Sequence, residues 1–263
     1  EWAIHTRTHM SASAFDKAQQ NNVIRSARKK FGGIFINDWY GKNRYTPIEK
    51  DPRGPIGRGI FASYQLVKSR LDDIKATLPQ PLIPPISDKK DLSHIISRLD
   101  PSRVINNAMV PFSVAALEHF FGKSFKILLH YDEKAQKRLQ EQSRKIDMQD
   151  VLAISYGAKT VEDIVADWYS FQNIQSINAA YKDWFGIDLW KILHQKRKVG
   201  RRIILLEKQF NNIIQFRHGV IHRFELDSDL SRDEIIVILD SAIILLEVFI
   251  DYLETDRNIK IRN

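Results

Sequence analysis

From Pro111 almost to the end of the chain, apolar residues recur at every third or fourth position, and nothing else in the sequence limits the fold as tightly. Val114, Leu117, Phe120, Phe121, Phe125 and Leu128 mark one helix, with Pro111 at its start, where a missing N–H costs nothing. A charged helix is expected over Glu133 to Ile146. Another is expected from Val161 to Phe171, with Val161, Ile164, Val165 and Trp168 on one side. Residues Asn178 to His194 carry Tyr181, Trp184, Phe185, Leu189 and Ile192, with a break at Gly186. A long helix is expected from about Gly200 to Arg223. Ser231, with Glu234 three positions on, has the form of a capping box. It announces a last helix from Arg232 to about Leu253, apolar on most sides and therefore central.

Upstream the texture changes. Five of the nine prolines lie between Pro79 and Pro101, where lost backbone donors and restricted residues before Pro oppose long regular elements. A Pro-rich linker is therefore placed at 79–110, separating a small α+β unit at 1–78 from a helical domain at 111–263. Within the first unit, Phe31 to Gly59 holds six of the eleven glycines among short apolar runs that suit a hairpin, with YGKN as its turn. Phe61, Tyr64, Leu66, Val67, Leu71, Ile74 and Leu78 have helical spacing. The expected class is mainly α, a helical bundle preceded by a small α+β N-terminal unit.

Composition removes several chemistries. With no cysteine there is no disulfide framework, thiolate zinc site or cysteine nucleophile, and a reducing cytoplasm is the natural compartment. The formal charge of +8 and pI near 9.5 favour polyanionic partners without requiring one. The most apolar stretch, Ile235 to Ile250, is interrupted by Asp240, Ser241 and Glu247. It falls short of the roughly 18–20 apolar residues of a membrane span, so no membrane is expected. The chain opens on Glu1 rather than Met, which is compatible with a leader or domain upstream.

The segment QFRHGVIHRFELD, residues 215–227, carries the chemistry. Arg217 follows Ile203, Leu206, Phe210, Ile213 and Ile214 along an apolar seam, and a buried guanidinium is expensive unless it is paired or used. On a regular helix His218 and His222 share a face, whereas Arg217 and His222 diverge by about 140 degrees. Their convergence on one phosphate requires a local break, a side chain reaching round, or a second subunit. An imidazole that titrates near neutrality can carry the proton in cleavage of RNA by its own 2′-hydroxyl, and a guanidinium fork can hold the growing phosphate charge; no metal or other cofactor is required. The plainer reading pairs Arg217 with a core carboxylate such as Glu118 and lets His222 merely end a helix.

RHGVIH resembles the signature of the HEPN superfamily: an Arg, usually a polar residue next, and a His a few positions later, ahead of a final hydrophobic helix. VAALEHFFGKSFKILLHY resembles the first long helix of RiboL-PSP-type HEPN domains, with Glu118 in the place of a Glu near the site, and DWFGIDLW resembles a segment between these helices. The likeness spans about residues 111–253. It implies a helical bundle that pairs as a homodimer with a composite active site. It also implies a metal-independent endoribonuclease, often a toxin or antiviral abortive-infection effector held in check by an antitoxin or regulatory partner. Under it Arg217 stabilises the phosphate, His222 is acid or base, and His218 is the polar auxiliary. The rival is a non-catalytic helical module for dimerisation or partner binding.

Other signals are weaker. Lys196, Arg197, Lys198, Arg201 and Arg202 lead into the motif helix and suit the RNA backbone, or form a solvated connector. Glu118 and His119 are adjacent on a helix and point apart, which argues against a metal pair. GPIGRG, residues 54–59, lacks the Lys-Ser/Thr ending of a nucleotide loop. Trp39, Tyr40, Arg44 and Tyr45 suit either base stacking or the core of a small unit.

Overall fold

A computed structural model describes residues 5–6, 14–38, 40–48, 53–81, 100–227 and 230–262. The chain forms two compact units, residues 1–54 and, from Pro55 to Arg262, a helical domain.

In the first unit, helix α1 (Ala14–Phe31) accompanies a two-stranded hairpin of β1 (Ile36–Asn37) and β2 (Gly41–Lys42), paired antiparallel with Ile36 opposite Lys42. Asn37 pairs with Gly41, so Gly41, at φ 88, opens the second strand instead of sitting inside a YGKN turn. Buried Asn21 ties helix to loop. Its amide donates to the Thr46 carbonyl at 2.8 Å and its oxygen accepts from the Thr46 N–H at 3.2 Å. Tyr45 stacks on Phe35 at 4.8 Å beneath the Arg25 guanidinium, which commits that ring to the unit's own packing; Tyr40 is exposed, and Trp39 lies outside the described residues.

The second unit begins earlier than residue 79. Helix α2 (Pro55–Thr77) buries Ile60, Tyr64, Val67 and Leu71 against helix α3 (Pro101–Tyr131), because its apolar face has nowhere else to go. Gly59, the last glycine of GPIGRG, serves this packing: a Cβ there would meet Ile127 at 2.9 Å. Helix α3 starts ten residues before Pro111, with Asp100 as N-cap accepting from Ser102 N–H and Pro101 in the first turn; Pro111 lies inside it. Residues 100–110, expected in a linker, are therefore capped helix, and residues 82–99 lie outside the described residues.

Short helices follow: α4 (Glu133–Gln140), α5 (Met148–Ser155), α6 (Val161–Asp167), α7 (Ile174–Phe185) and α8 (Leu189–Leu193). The break at Gly186 is a left-handed C-cap, φ 64. Residues Lys196–Val199 (β3) and Arg202–Leu205 (β4) then form an antiparallel hairpin, β3 within the basic run and β4 where the start of a helix is expected, with Gly200 at φ 57 in its two-residue turn. Helix α9 (Leu206–His218) runs into a π-helical turn (Gly219–Arg223). Ser231 and Glu234 form the expected capping box, and α10 (Arg232–Thr255) follows, buried on most sides.

An aromatic cluster joins these helices. Phe121 of α3 lies 6.0 Å from Tyr181 of α7, 6.0 Å from Phe210 of α9 and 5.3 Å from Phe249 of α10. The fully buried Tyr181 hydroxyl donates to the Phe121 carbonyl at 2.7 Å, and burial pushes its pKa well up. Phe210 thereby fixes the motif helix in the core. The domain is mainly α, and among the described residues no helix is long and apolar enough to cross a membrane.

Candidate active site

Buried Leu206, Phe210 and Ile213 hold one side of α9 against the core, leaving its C-terminal end at the surface. There the backbone changes period. In a π turn the hydrogen bond closes from residue i to i+5, so side chains five apart come onto one face. Arg217 and His222 are five apart. Their Nη1 and Nε2 atoms lie 3.4 Å from one another, and the His218 and His222 rings are 4.7 Å apart between centroids. A guanidinium only donates, so Nε2 of His222 faces it as an acceptor and the neutral ring carries its proton on Nδ1. His218 and His222 are exposed and Arg217 is half-buried, so the cluster is anchored yet open to solvent.

The turn is closed by its own backbone. The N–H groups of Phe224 and Glu225 both donate to the Gly219 carbonyl, and Phe224 takes a left-handed conformation, φ 56. Beyond it, two buried asparagines of α3 hold the chain. Asn107 donates to the Asp227 carbonyl and accepts from the Asp227 N–H, each at 2.8 Å, while Asn106 donates to the Leu230 carbonyl at 3.2 Å. Sequence reasoning missed both. Their signal is the polar start of an otherwise apolar inner face, Ser102, Asn106 and Asn107 preceding Val110 and Val114.

Glu118, also on α3, is half-buried. Burial raises its pKa, and the charge of Arg217 works the other way, so carboxylate and guanidinium feel each other. They make no ion pair within 4.0 Å: Arg217 is not spoken for by Glu118, as the plainer reading supposed, and is turned to His222.

The five cations of the basic run are all exposed, but the hairpin sorts them. Strand alternation puts Lys196 and Lys198 on one face and Arg197 and Arg202 on the other, with Arg201 in the turn. Arg202 reaches Glu234 at 3.8 Å. This group stands at the opposite end of α9 from Arg217, roughly 18 Å away for a 13-residue helix. The motif and the basic run are thus two stations on one helix. Between them an exposed polar lane of Lys208, Asn212, Gln215 and His218 follows α9. A shallow cleft lies beside the turn, floored by Phe216, Gly219, Glu225, Leu226 and Asp227. Among the described residues no three His, Asp or Glu side chains gather as metal ligands.

No curated protein and no solved structure matches the chain. The sequence model of the RiboL-PSP-HEPN family does, over residues 85–255, which take in the long helix α3, the motif helix and α10. That match covers well over half of the chain, which therefore belongs to the RiboL-PSP-HEPN family.

Proposed function

We propose that the chain is an endoribonuclease that cuts RNA through the RNA's own 2′-hydroxyl, without a metal, and leaves 2′,3′-cyclic phosphate and 5′-hydroxyl ends. The observation that carries this reading is the π turn, which brings Arg217 and His222 together at 3.4 Å on an open surface with His218 alongside. The reaction forms a bond from the 2′-oxygen to phosphorus and breaks the bond from phosphorus to the 5′-oxygen. An imidazole takes the 2′ proton, a protonated imidazole gives one to the leaving oxygen, and the guanidinium donates to the non-bridging oxygens as their charge grows. His222, with Nε2 as acceptor, has the form of the base. His218 is the polar auxiliary, and Glu118 behind Arg217 biases the guanidinium electrostatically.

RNA is the substrate that suits a basic chain with five exposed cations along the approach. A second copy of the chain is the partner that suits the outer face of α3. Val104, Ile105, Ala108, Phe112 and Ala115 form an exposed apolar stripe there, on the same helix as Glu118. Paired on that stripe, two motifs would share a cleft, and the second His222 would supply the acid. A toxin or antiviral effector role, with its antitoxin or regulator, goes with this reading.

The test is incubation of the purified protein with total RNA in chelator, beside Arg217→Ala and His222→Ala of verified fold. Cleavage by wild type alone, with cyclic-phosphate ends, is expected. Cleavage persisting in both variants would move the site elsewhere, and a folded wild type that cuts nothing would leave a helical binding module.

A further inference from the structure

Phe224 is expensive where it stands. Its backbone is left-handed, φ 56 and ψ 32, a conformation that glycine or asparagine ordinarily supplies after a helix and that costs a bulky residue about 1–2 kcal/mol. Nor does burial offset this. The ring is 84% exposed, the most open of the large hydrophobic side chains among the described residues. Its backbone is nevertheless fixed, by the paired N–H bonds of residues 224 and 225 to the Gly219 carbonyl and by the Asn107 clamp on Asp227. A rigidly mounted aromatic ring thus projects into solvent two residues from His222. Strain kept without packing gain points to a use in binding.

We infer that Phe224 is a stacking platform for the base beside the cut phosphate, and that through it the site selects unpaired RNA; this rests on the ribonuclease reading. The ring has only two free torsions, so ordering it on a base costs little entropy. Stacking accepts any base, because every base has a π face, but only a base released from a duplex offers that face. A nucleobase suits the surroundings better than a protein partner does. His222, Arg223 and Glu225, which flank Phe224 in the chain, are charged or titratable and exposed, and Arg223 pairs with Glu225 at 3.5 Å, whereas the dry centre of a protein interface is poor in charge.

The experiment compares Phe224→Gly and Phe224→Trp with wild type, each also in a His222→Ala background that keeps RNA intact. Titration with a short single-stranded oligoribonucleotide carrying 2-aminopurine reads stacking as quenching, and cleavage kinetics on the same RNA separate KM from kcat. Phe224→Gly should melt no lower than wild type. It should lose the quench, bind about tenfold more weakly, and raise KM by a similar factor with little change in kcat; tryptophan should restore all three. Unchanged binding and KM in Phe224→Gly would overturn the inference while leaving the ribonuclease reading intact. Quenching that depends on Phe224 in a protein that never cuts would do the reverse. Failure of the His222→Ala protein to bind the oligonucleotide at all would also end the inference. So would loss of binding that accompanies dissociation in sedimentation and recovers at higher protein concentration, because Phe224 would then be a contact between copies.

Discussion

Arg217 continues a row of apolar residues on α9, yet it is half-buried and turned to His222 rather than paired with Glu118. Its removal should therefore cost little in folding and much in chemistry. Arg217→Ala is expected to keep the wild-type melting temperature within a few degrees and to lower kcat by about 10²–10³, the scale of one lost charge-stabilising donor. Arg217→Lys should recover only part, since a point charge lacks the fork. Glu118 makes a complementary prediction. Burial raises its pKa, so the folded protein holds this proton more tightly than the unfolded chain. Its carboxyl then costs nothing at acid pH and destabilises the fold as pH rises through the raised value. Glu118→Gln should increase the urea midpoint at neutral pH, with the difference closing below about pH 4. Asn107 is where the sequence is least helpful. An amide among helical residues looks like surface, and nothing in the pattern shows that it grips the Asp227 backbone from both sides. Asn107→Ala would remove both part-buried hydrogen bonds to the Asp227 backbone, while the Asp227 carbonyl keeps the Leu230 N–H at 3.3 Å, and should cost about 1–3 kcal/mol in denaturant unfolding, with cleavage falling as the turn loosens.

At the level of elements, what was legible depended on an apolar period or a cap residue. The first turns of α3 are hidden by the prolines that read as a linker, whereas helix α3 from Pro111 onward, the capping box of α10 and the break at Gly186 are all announced by period or cap residues. Helix α1 is not, because its one buried residue is Asn21 and it has no apolar stripe to count. The β3–β4 hairpin hides for another reason: Ile203 and Leu206 fall in step with Phe210 and Ile213, so four-residue strands are absorbed into the helical period that follows. The π turn hides because a helical wheel assumes one pitch throughout, and the 140-degree divergence it gives for Arg217 and His222 is removed by a local change of pitch. A π turn is in effect a helix with one residue inserted. Deleting Val220 should therefore return the segment to α pitch with the two side chains four apart and still on one face. The deletion variant is expected to keep wild-type far-ultraviolet circular dichroism and to retain more cleavage than His222→Ala. A folded deletion variant as inactive as His222→Ala would show that the i to i+5 geometry itself is needed.

For the molecule as a whole, the helical domain presents two kinds of surface. One is cationic and polar, running from the β3–β4 hairpin along α9; the other is the apolar stripe of α3, with Val104 and Phe112 each more than half exposed. A long-range field can draw RNA to the first, but water-exposed apolar rows are a cost unless they are covered. A stable protein interface hides about 800 Å² on each partner, and a stripe reaching from Val104 to Ala115 can form its centre while leaving the adjoining motif at the rim of a shared cleft. Phe112→Glu tests that arrangement. A charge at the middle of a dry contact loses its water without gaining a partner, so the expected outcome is that wild type sediments as a dimer and the variant as a folded monomer. If the acid and base come from two copies, its cleavage should fall in proportion and recover at high protein concentration, and the specific activity of wild type should itself drop on dilution. A Phe112→Glu monomer that cuts at the full rate would instead mean that one copy of Arg217, His218 and His222 supplies both proton transfers, and that the stripe on α3 meets something other than its own kind.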